Sequence, residues 1–324
     1  MRRRILVICN PCAARGKKVF KNIREIAGRV FKEKEIAIDL VYLQNLQQNK
    51  LSKVQMEEAI QKSYKCIGVV GGDGTVNIVI NLLKDIKIPL VVIPAGTAND
   101  LARELGILNL KKAFNILLSD KQKIKEIDLC QVKWQGRGQE QEYRRYFVNN
   151  FSLGFDAEVV RYAEQLKKKF RSLSFLPGFA CYFIAILRML FSFKANTEIS
   201  IEIEDTKGLR RKINGAIMSL IICNNPRYGR YFHLSPDAKM DDGKFSVCII
   251  PKMSKPLFLL VILEALSGHF SNRLGRYIYN DVEKIWISLK RPGNFLQTNV
   301  QVDGEIFIVK GKIEISFGPK KAFL

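Results

Sequence analysis

The chain has 324 residues, 47% hydrophobic and 26% charged, with 53 Lys+Arg against 31 Asp+Glu for a formal net charge of +22. That composition excludes a disordered or fibrous protein, and the length makes two domains the default, because single cores seldom grow so large. Residues 1–128 carry 23 Lys+Arg against 13 Asp+Glu and residues 129–324 carry 30 against 18, so the surplus is shared and favours anionic partners throughout.

Nucleic acid is not the expected partner: helix-turn-helix spacing, zinc-finger spacing and an RNP-type aromatic strand are all missing. Seven cysteines, at positions 9, 12, 66, 130, 181, 223 and 248, are an odd number, and most sit in apolar runs, as reduced core thiols do. The expected compartment is therefore reducing and cytoplasmic. Cys9-Asn10-Pro11-Cys12 is formally CxxC, but no second pair completes a zinc ribbon. The opening MRRRILVICNP offers five apolar residues before Asn10, too few for a signal peptide.

In chain order, Ile5–Cys9 reads as a strand and Asn10–Lys18 as a loop of small and basic residues. A helix is predicted over Val19–Phe31, a second strand over Ile36–Tyr42, and a helix including Met56–Gln61. Ile67-Gly68-Val69-Val70 is a short apolar run, the mark of a buried parallel strand. Gly71-Gly72-Asp73-Gly74-Thr75 follows without a gap, then Val76, Val79, Ile80 and Leu83 at helical spacing. Glycines at such a junction let the backbone approach a ligand, and the helix start favours an anion. Asp73 would repel a bare phosphate, which suggests a polyphosphate with Mg²⁺. The alternative is a tight turn that merely needs glycine. Neither GxxxxGK[ST] nor GxGxxG is present. The design then repeats, with a strand over Leu90–Ile93, the loop Pro94-Ala95-Gly96-Thr97-Ala98-Asn99-Asp100 and a helix beginning at Leu101–Leu105. Two such junctions one βα unit apart would place both loops at one sheet edge, where open α/β sheets bind ligands.

After Asp128 the texture becomes β. Strand-like runs occur at Tyr146–Asn150, Glu198–Ile203, Ala216–Cys223, Lys244–Ile250, Lys284–Leu289, Val300–Val302 and Ile306–Val309, as in an antiparallel sandwich or barrel. Phe175–Phe193 is apolar almost all round, but the Pro177-Gly178 break leaves it short of a transmembrane span. It reads as a buried helix or as a helix at a lipid-facing surface with basic flanks. Leu257–Leu266 reads as core.

Three spaced runs, Gly71–Thr75, Pro94–Asp100 and Asp303-Gly304-Glu305, together resemble the diacylglycerol kinase catalytic-domain family, which includes soluble bacterial lipid kinases and the sphingosine and ceramide kinases. Asn10-Pro11, Leu153–Ala157 and Ser235–Gly243 fall where such proteins carry similar runs. The first loop alone is shared with NAD kinases and phosphofructokinases; the second and third runs are more specific. The resemblance implies an N-terminal α/β nucleotide-binding domain over residues 1–130, to which a tail at about 312–324 returns, and a C-terminal β-sandwich lipid-substrate domain over 131–311, with a cleft between them. It implies ATP and Mg²⁺, with Asn10, Gly71, Gly72, Gly74, Thr75, Gly96, Thr97 and Asn99 around the nucleotide. Asp73, Asp100 and Asp128 would form a water-bridged Mg²⁺ network, and Glu305 would be the general base. A structural Mg²⁺ would use the Asp242 carboxylate and the carbonyls of Lys239 and Lys244. Read by itself, Asp303-Gly304 between two strands is also an ordinary hairpin turn. His233 and His269 have no metal-ligand spacing. Ile78 stands where the family loop carries glutamate, and Ala14 where its first turn carries glycine.

The implied activity is phosphorylation of a membrane-lipid hydroxyl, diacylglycerol to phosphatidic acid, by a cytoplasmic enzyme peripheral to the anionic inner leaflet, with homodimer formation left open. Two rivals are a kinase of a soluble acceptor such as NAD and a non-catalytic, nucleotide-gated binder of membrane or nucleic acid.

Overall fold

A computed structural model describes residues 4–11, 13, 16, 19–25, 36–43, 60, 64–119, 123–135, 142–169, 178–193, 198–229, 232, 234–268, 275–290 and 297–324. The chain divides into two units, Met1–Ile127 with Pro319–Leu324, and Asp128–Gly318.

In the first unit, strands β1 (Arg4–Cys9), β2 (Ala37–Tyr42), β3 (Cys66–Gly71) and β4 (Leu90–Pro94) form a parallel sheet in the order β2-β1-β3-β4. β3 and β4 are buried along their whole length, as apolar strands of a sheet covered on both faces are. Helices α1 (Asp73–Leu82), α2 (Asp100–Glu104) and α3 (Leu110–Leu117) follow. α1 buries Val76, Val79 and Ile80, as the periodicity predicts. α3 starts at Asn109, whose side chain accepts the Lys112 N–H at 2.9 Å.

The last residues of the chain complete this unit. Phe323, at the end of β13 (Glu305–Phe323), pairs with Leu90 in parallel, and the Leu324 N–H donates to the Leu90 carbonyl at 3.0 Å. The buried Lys321 ammonium donates to the carbonyls of Leu83, at 3.2 Å, and Ile86, just past the end of α1.

The second unit is antiparallel. Its strands are β5 (Lys125–Gln135, entering this unit at Asp128), β6 (Glu142–Phe147), β7 (Asn150–Gly154), β8 (Glu198–Asp205), β9 (Arg210–Cys223), β10 (Phe245–Pro251), β11 (Tyr277–Lys290), β12 (Gln297–Val302) and β13 as far as Gly318. They run in the order β10-β11-β8-β9-β7-β12-β13, with β5 paired to β13 and β6, and with β10 also pairing β9 and β11 also pairing β13. Inward residues such as Phe147, Phe151, Ile201, Ile222 and Ile285 fill one core, in which the Phe245 and Phe317 rings stack at 4.0 Å. This is the sandwich architecture that the alternating runs predict. Outside that core, α4 (Phe155–Lys169), α5 (Gly178–Ser192) and α6 (Lys255–Ser267) pack around a second cluster with Phe155, Ala185, Met218 and Phe258.

Two expectations are corrected, and a third segment divides between its two readings. The strand predicted over Tyr146–Asn150 is two strands, split at Val148-Asn149, because the N–H groups there turn to the Asp303 carboxylate. Leu257–Leu266 is not wholly core: Phe258, Val261 and Ala265 are buried, but Leu259, Leu260, Leu263 and Leu266 face outward. Phe175–Phe193 is neither wholly buried nor wholly exposed. Its helix begins directly after Pro177, sinks Cys181, Ala185 and Met189, and exposes Phe183, Ile184, Leu187 and Phe191. Among the described residues no helix is long and apolar enough to cross a membrane. Residues 19–25 are helical; the rest of the helix predicted to Phe31, all of Met56–Gln61 except Ile60, and Ala14, His233 and His269 lie outside the described residues.

Candidate active site

The first unit brings the two small-residue loops together. Gly71 pairs with Pro94, so β3 and β4 end side by side, and the Ala95 N–H donates to the Gly71 carbonyl at 2.9 Å. The loops then interlock. A Cβ on Gly96 would lie 2.4 Å from the Gly72 Cα, and one on Gly71 would lie 2.3 Å from the Thr75 Cβ. Glycine is therefore required at 96 for loop-on-loop packing and at 71 to clear Thr75 of its own loop, before any ligand is considered.

Asp73 ties the loops. Its carboxylate accepts the N–H groups of Asp100, at 3.1 Å, and Leu101, at 3.0 Å, at the start of α2. Burial pushes its carboxyl up from the ordinary carboxylate range, while those backbone donors pull the other way. Asn99 takes the left-handed conformation, with φ of 55°. Its amide closes the turn, accepting the Gly96 N–H at 2.9 Å and donating to the Gly96 carbonyl at 3.0 Å. Asn10 donates through Nδ2 to the Thr75 hydroxyl at 2.9 Å, and through its backbone to Val70 at 3.1 Å. The predicted Asn10, Gly71, Gly72, Asp73, Thr75, Gly96, Asn99 and Asp100 thus share one hydrogen-bonded loop cluster, with Gly74 in the first turn of α1 and Thr97 in the second loop. No side chain caps the α1 N-terminus at Gly72, the condition in which its N–H groups suit an anion. Beside the cluster lies a cavity of about 410 Å³ lined by Pro94, Asn99, Arg103, Ile107, Leu108 and Lys111, among others.

In the second unit Glu305 stands at the first position of β13, after a two-residue turn in which Asp303 has φ of 46° and Gly304 φ of 85°. Positive φ at both positions is the type I′ hairpin that Asp-Gly favours. The Asp303 carboxylate accepts three backbone N–H groups, from Val148 at 2.8 Å, Asn149 at 2.8 Å and Asn150 at 3.0 Å. Asp-Gly-Glu is thus a turn and a presented carboxylate at once. Glu305 is half-buried and ion-paired with Arg145 of β6, whose guanidinium lies 5.4 Å from the centre of the Phe307 ring. Burial raises the Glu305 carboxyl above the ordinary 4.5, and Arg145 opposes that rise.

Asp128 is buried in the second unit. Its Oδ2 accepts the Gly243 N–H at 2.8 Å and its own N–H donates to the Met240 carbonyl at 2.7 Å. It therefore anchors the loop that carries Lys239, Asp242 and Lys244. In that loop Asp242 Oδ1 accepts the Lys244 N–H at 3.1 Å. A carboxylate with two carbonyls is an all-oxygen donor set, the kind a hard cation takes. Among the described residues, no three His, Cys, Asp or Glu side chains group as a metal centre.

Sequence reasoning missed Arg145, Arg103, and the buried triad in which Ser152 and Tyr228 both donate to Asp156. Burial drives the Asp156 carboxyl up. Asp156 had a signal, since it lies in the Leu153–Ala157 run; Arg145 had none beyond one of several basic residues on an alternating strand.

Residues 4–132 match the family described as the diacylglycerol kinase catalytic domain, and residues 149–311 match that described as the YegS C-terminal NAD kinase beta sandwich-like domain. The chain is 28% identical over 309 residues to the diacylglycerol kinase of Staphylococcus carnosus, covering 94% of this chain and 89% of that one. It is 28% identical over 253 residues to the diacylglycerol kinase of Bacillus subtilis, covering 77% and 74%. A diacylglycerol kinase crystal structure from Bacillus anthracis shares the fold with a TM-score of 0.63 at 17% identity, covering 99% and 96%. Yeast NADH kinase does so with a TM-score of 0.52 at 11% identity, covering 99% and 82%. With both of its units matched in turn, the chain belongs to the diacylglycerol kinase catalytic-domain family, kinases that transfer phosphate to an alcohol group.

Proposed function

We propose that this protein transfers the γ-phosphate of ATP to the hydroxyl of a membrane lipid, diacylglycerol, giving phosphatidic acid. The observation that carries this reading is Glu305, a half-buried carboxylate fixed on a hairpin that Asp303 locks and paired with one arginine. A general base for an alcohol needs that combination of fixed position and a proton affinity above that of a solvated carboxylate. The names of the relatives from Staphylococcus carnosus and Bacillus subtilis support the lipid acceptor.

The residues fit the groups this chemistry needs. The hydroxyls of Thr75 and Thr97 and the backbone N–H groups of residues 71–75 would hold phosphate oxygens, with Asn10 fixing the Thr75 hydroxyl. Asp73 and Asp100 supply hard oxygen donors that would hold Mg²⁺ through water, and the same class of donors at Asp242, Lys239 and Lys244 would hold a structural cation. Asp128 holds, at Met240 and Gly243, the loop that carries those structural-cation donors. Bound Mg²⁺ supplies neutralisation of phosphate charge. Glu305 takes the proton from the attacking hydroxyl, and Arg145 opposes the rise in proton affinity that burial gives its carboxyl. The charge of +22 supports work at an anionic inner leaflet, on the cytoplasmic side.

The test offers labelled ATP with Mg²⁺ to the protein with diacylglycerol vesicles in one arm and NAD in another. Label is expected in phosphatidic acid, and its loss is expected in Glu305→Gln. Label in NADP alone would move the assignment to the soluble-acceptor kinases. Tight ATP binding without transfer to any acceptor would make the protein a non-catalytic binder.

A further inference from the structure

The outward faces of α5 and α6 carry a feature that phosphate transfer does not use. On α5, Phe183, Ile184, Leu187 and Phe191 recur at helical spacing on the side away from the core, and Phe191 is 74% and Phe183 61% exposed. On α6, Leu259, Leu260, Leu263 and Leu266 do the same, with Leu260 52% and Leu263 51% exposed. The two helices are neighbours: the Lys255 ammonium at the start of α6 donates to the Phe191 carbonyl near the end of α5. The Phe155 ring touches both Phe193 after α5 and Phe258 in α6. Eight large apolar side chains on adjacent helices amount to several hundred Å² of exposed apolar surface, the size that marks an interaction site.

Its surroundings are cationic. Arg188 lies within the α5 stripe, and Lys252 and Lys255 lead into α6. The last turn of α4 adds Lys168 and Lys169, together with Lys167, whose ammonium pairs with Glu164 at 2.7 Å and lies 4.2 Å from the centre of the Tyr182 ring on α5. α5 carries no acidic residue, and the one acid of α6, Glu264, is ion-paired with Arg276. A second copy of this chain laid on the patch would bring like charges against like, which disfavours self-association. A bilayer with anionic headgroups complements both parts, taking apolar side chains between its headgroups and cations at its surface.

We propose that α5 and α6 form the docking face by which this protein sits on an anionic bilayer, with Phe183, Leu187, Phe191, Leu260 and Leu263 entering the interface. The proposal rests on the reading of the acceptor as a membrane lipid, and it names the surface that delivers the protein to that lipid.

The test is sedimentation of the full chain with vesicles of phosphatidylcholine alone or mixed with phosphatidylglycerol, without ATP or diacylglycerol. Docking is thereby measured separately from phosphate transfer, and either can fail alone. The wild type is expected to bind the mixed vesicles and to release in high salt. Phe191→Glu with Leu263→Glu should weaken binding by about tenfold or more, since charge then replaces buried apolar surface. Lys168→Glu with Lys169→Glu should weaken it by about thirtyfold or more, at ~1 kcal/mol per basic residue near the surface. Should the first pair unfold, as circular dichroism would reveal, Leu187→Ser with Leu260→Ser reads the same face and should also bind less. Binding unchanged in the folded apolar variants, or no binding by the wild type, overturns the proposal. So does a wild-type dimer in light scattering that Leu263→Glu splits while vesicle binding persists.

Discussion

Arg145 of β6 and Glu305 of β13, 160 positions apart in sequence, form an ion pair in the second unit. The pair sets two opposed influences on one carboxyl: burial lifts its proton affinity and the guanidinium lowers it. If Glu305 is the base, it works only when ionised, so the acid limb of kcat/KM reports its affinity. Arg145→Ala should shift that limb to higher pH and reduce kcat/KM by about tenfold to a hundredfold. Arg145→Lys should move it less. A pH profile over diacylglycerol vesicles checks both, and an unmoved limb in Arg145→Ala removes the arginine from the mechanism.

The same carboxyl has a signature in stability. Because its affinity is raised on folding, Glu305 favours the folded state most at pH below the ordinary glutamate range, and that contribution is lost as pH rises through its folded value. Wild type should therefore lose stability relative to Glu305→Gln between about pH 4 and pH 7. Paired urea titrations at the two pH values give the comparison, and the opposite trend would mean that the arginine outweighs burial.

Asp303→Ala should destabilise the second unit by about 3 kcal/mol or more, because three backbone N–H groups lose their acceptor. Asp303→Gly, which keeps the positive φ easy but removes the acceptor, should lose almost as much. If it were neutral, turn conformation and not the hydrogen bonds would be what Asp303 provides.

Gly96→Ala should cost more than about 2 kcal/mol and abolish phosphate transfer, since the added methyl meets the Gly72 backbone. Gly208→Ala is the control: φ is 78° but nothing lies within 4 Å of the added carbon, so only about 1 kcal/mol of backbone strain is expected. Thermal midpoints of the two variants should differ plainly.

Much of this was legible beforehand, and the misses have causes. The two glycine-rich loops could be placed at one sheet edge because parallel βα units leave their strands at the same end; the 71–94 pairing realises that rule. What spacing could not say is that the glycines serve each other, since Gly72 and Gly96 touch across sequence. Nor could it assign Asp73 a backbone-capping duty, because the groups it accepts lie 27 and 28 residues away. α6 was misread because its apolar residues run all round the helix, and periodicity fails when both faces are greasy. The Tyr146–Asn150 run looked continuous because nothing local records that Asp303 recruits its backbone.

The residues that border β4, with Lys321 set against the carbonyls after α1, follow the whole of the second unit in sequence. The first unit therefore cannot close its sheet margin until the second has been synthesised, however early its first strands emerge from the ribosome. Its maturation waits on residues 319–324, so a product stalled or cut before Pro319 would display an unfinished sheet margin.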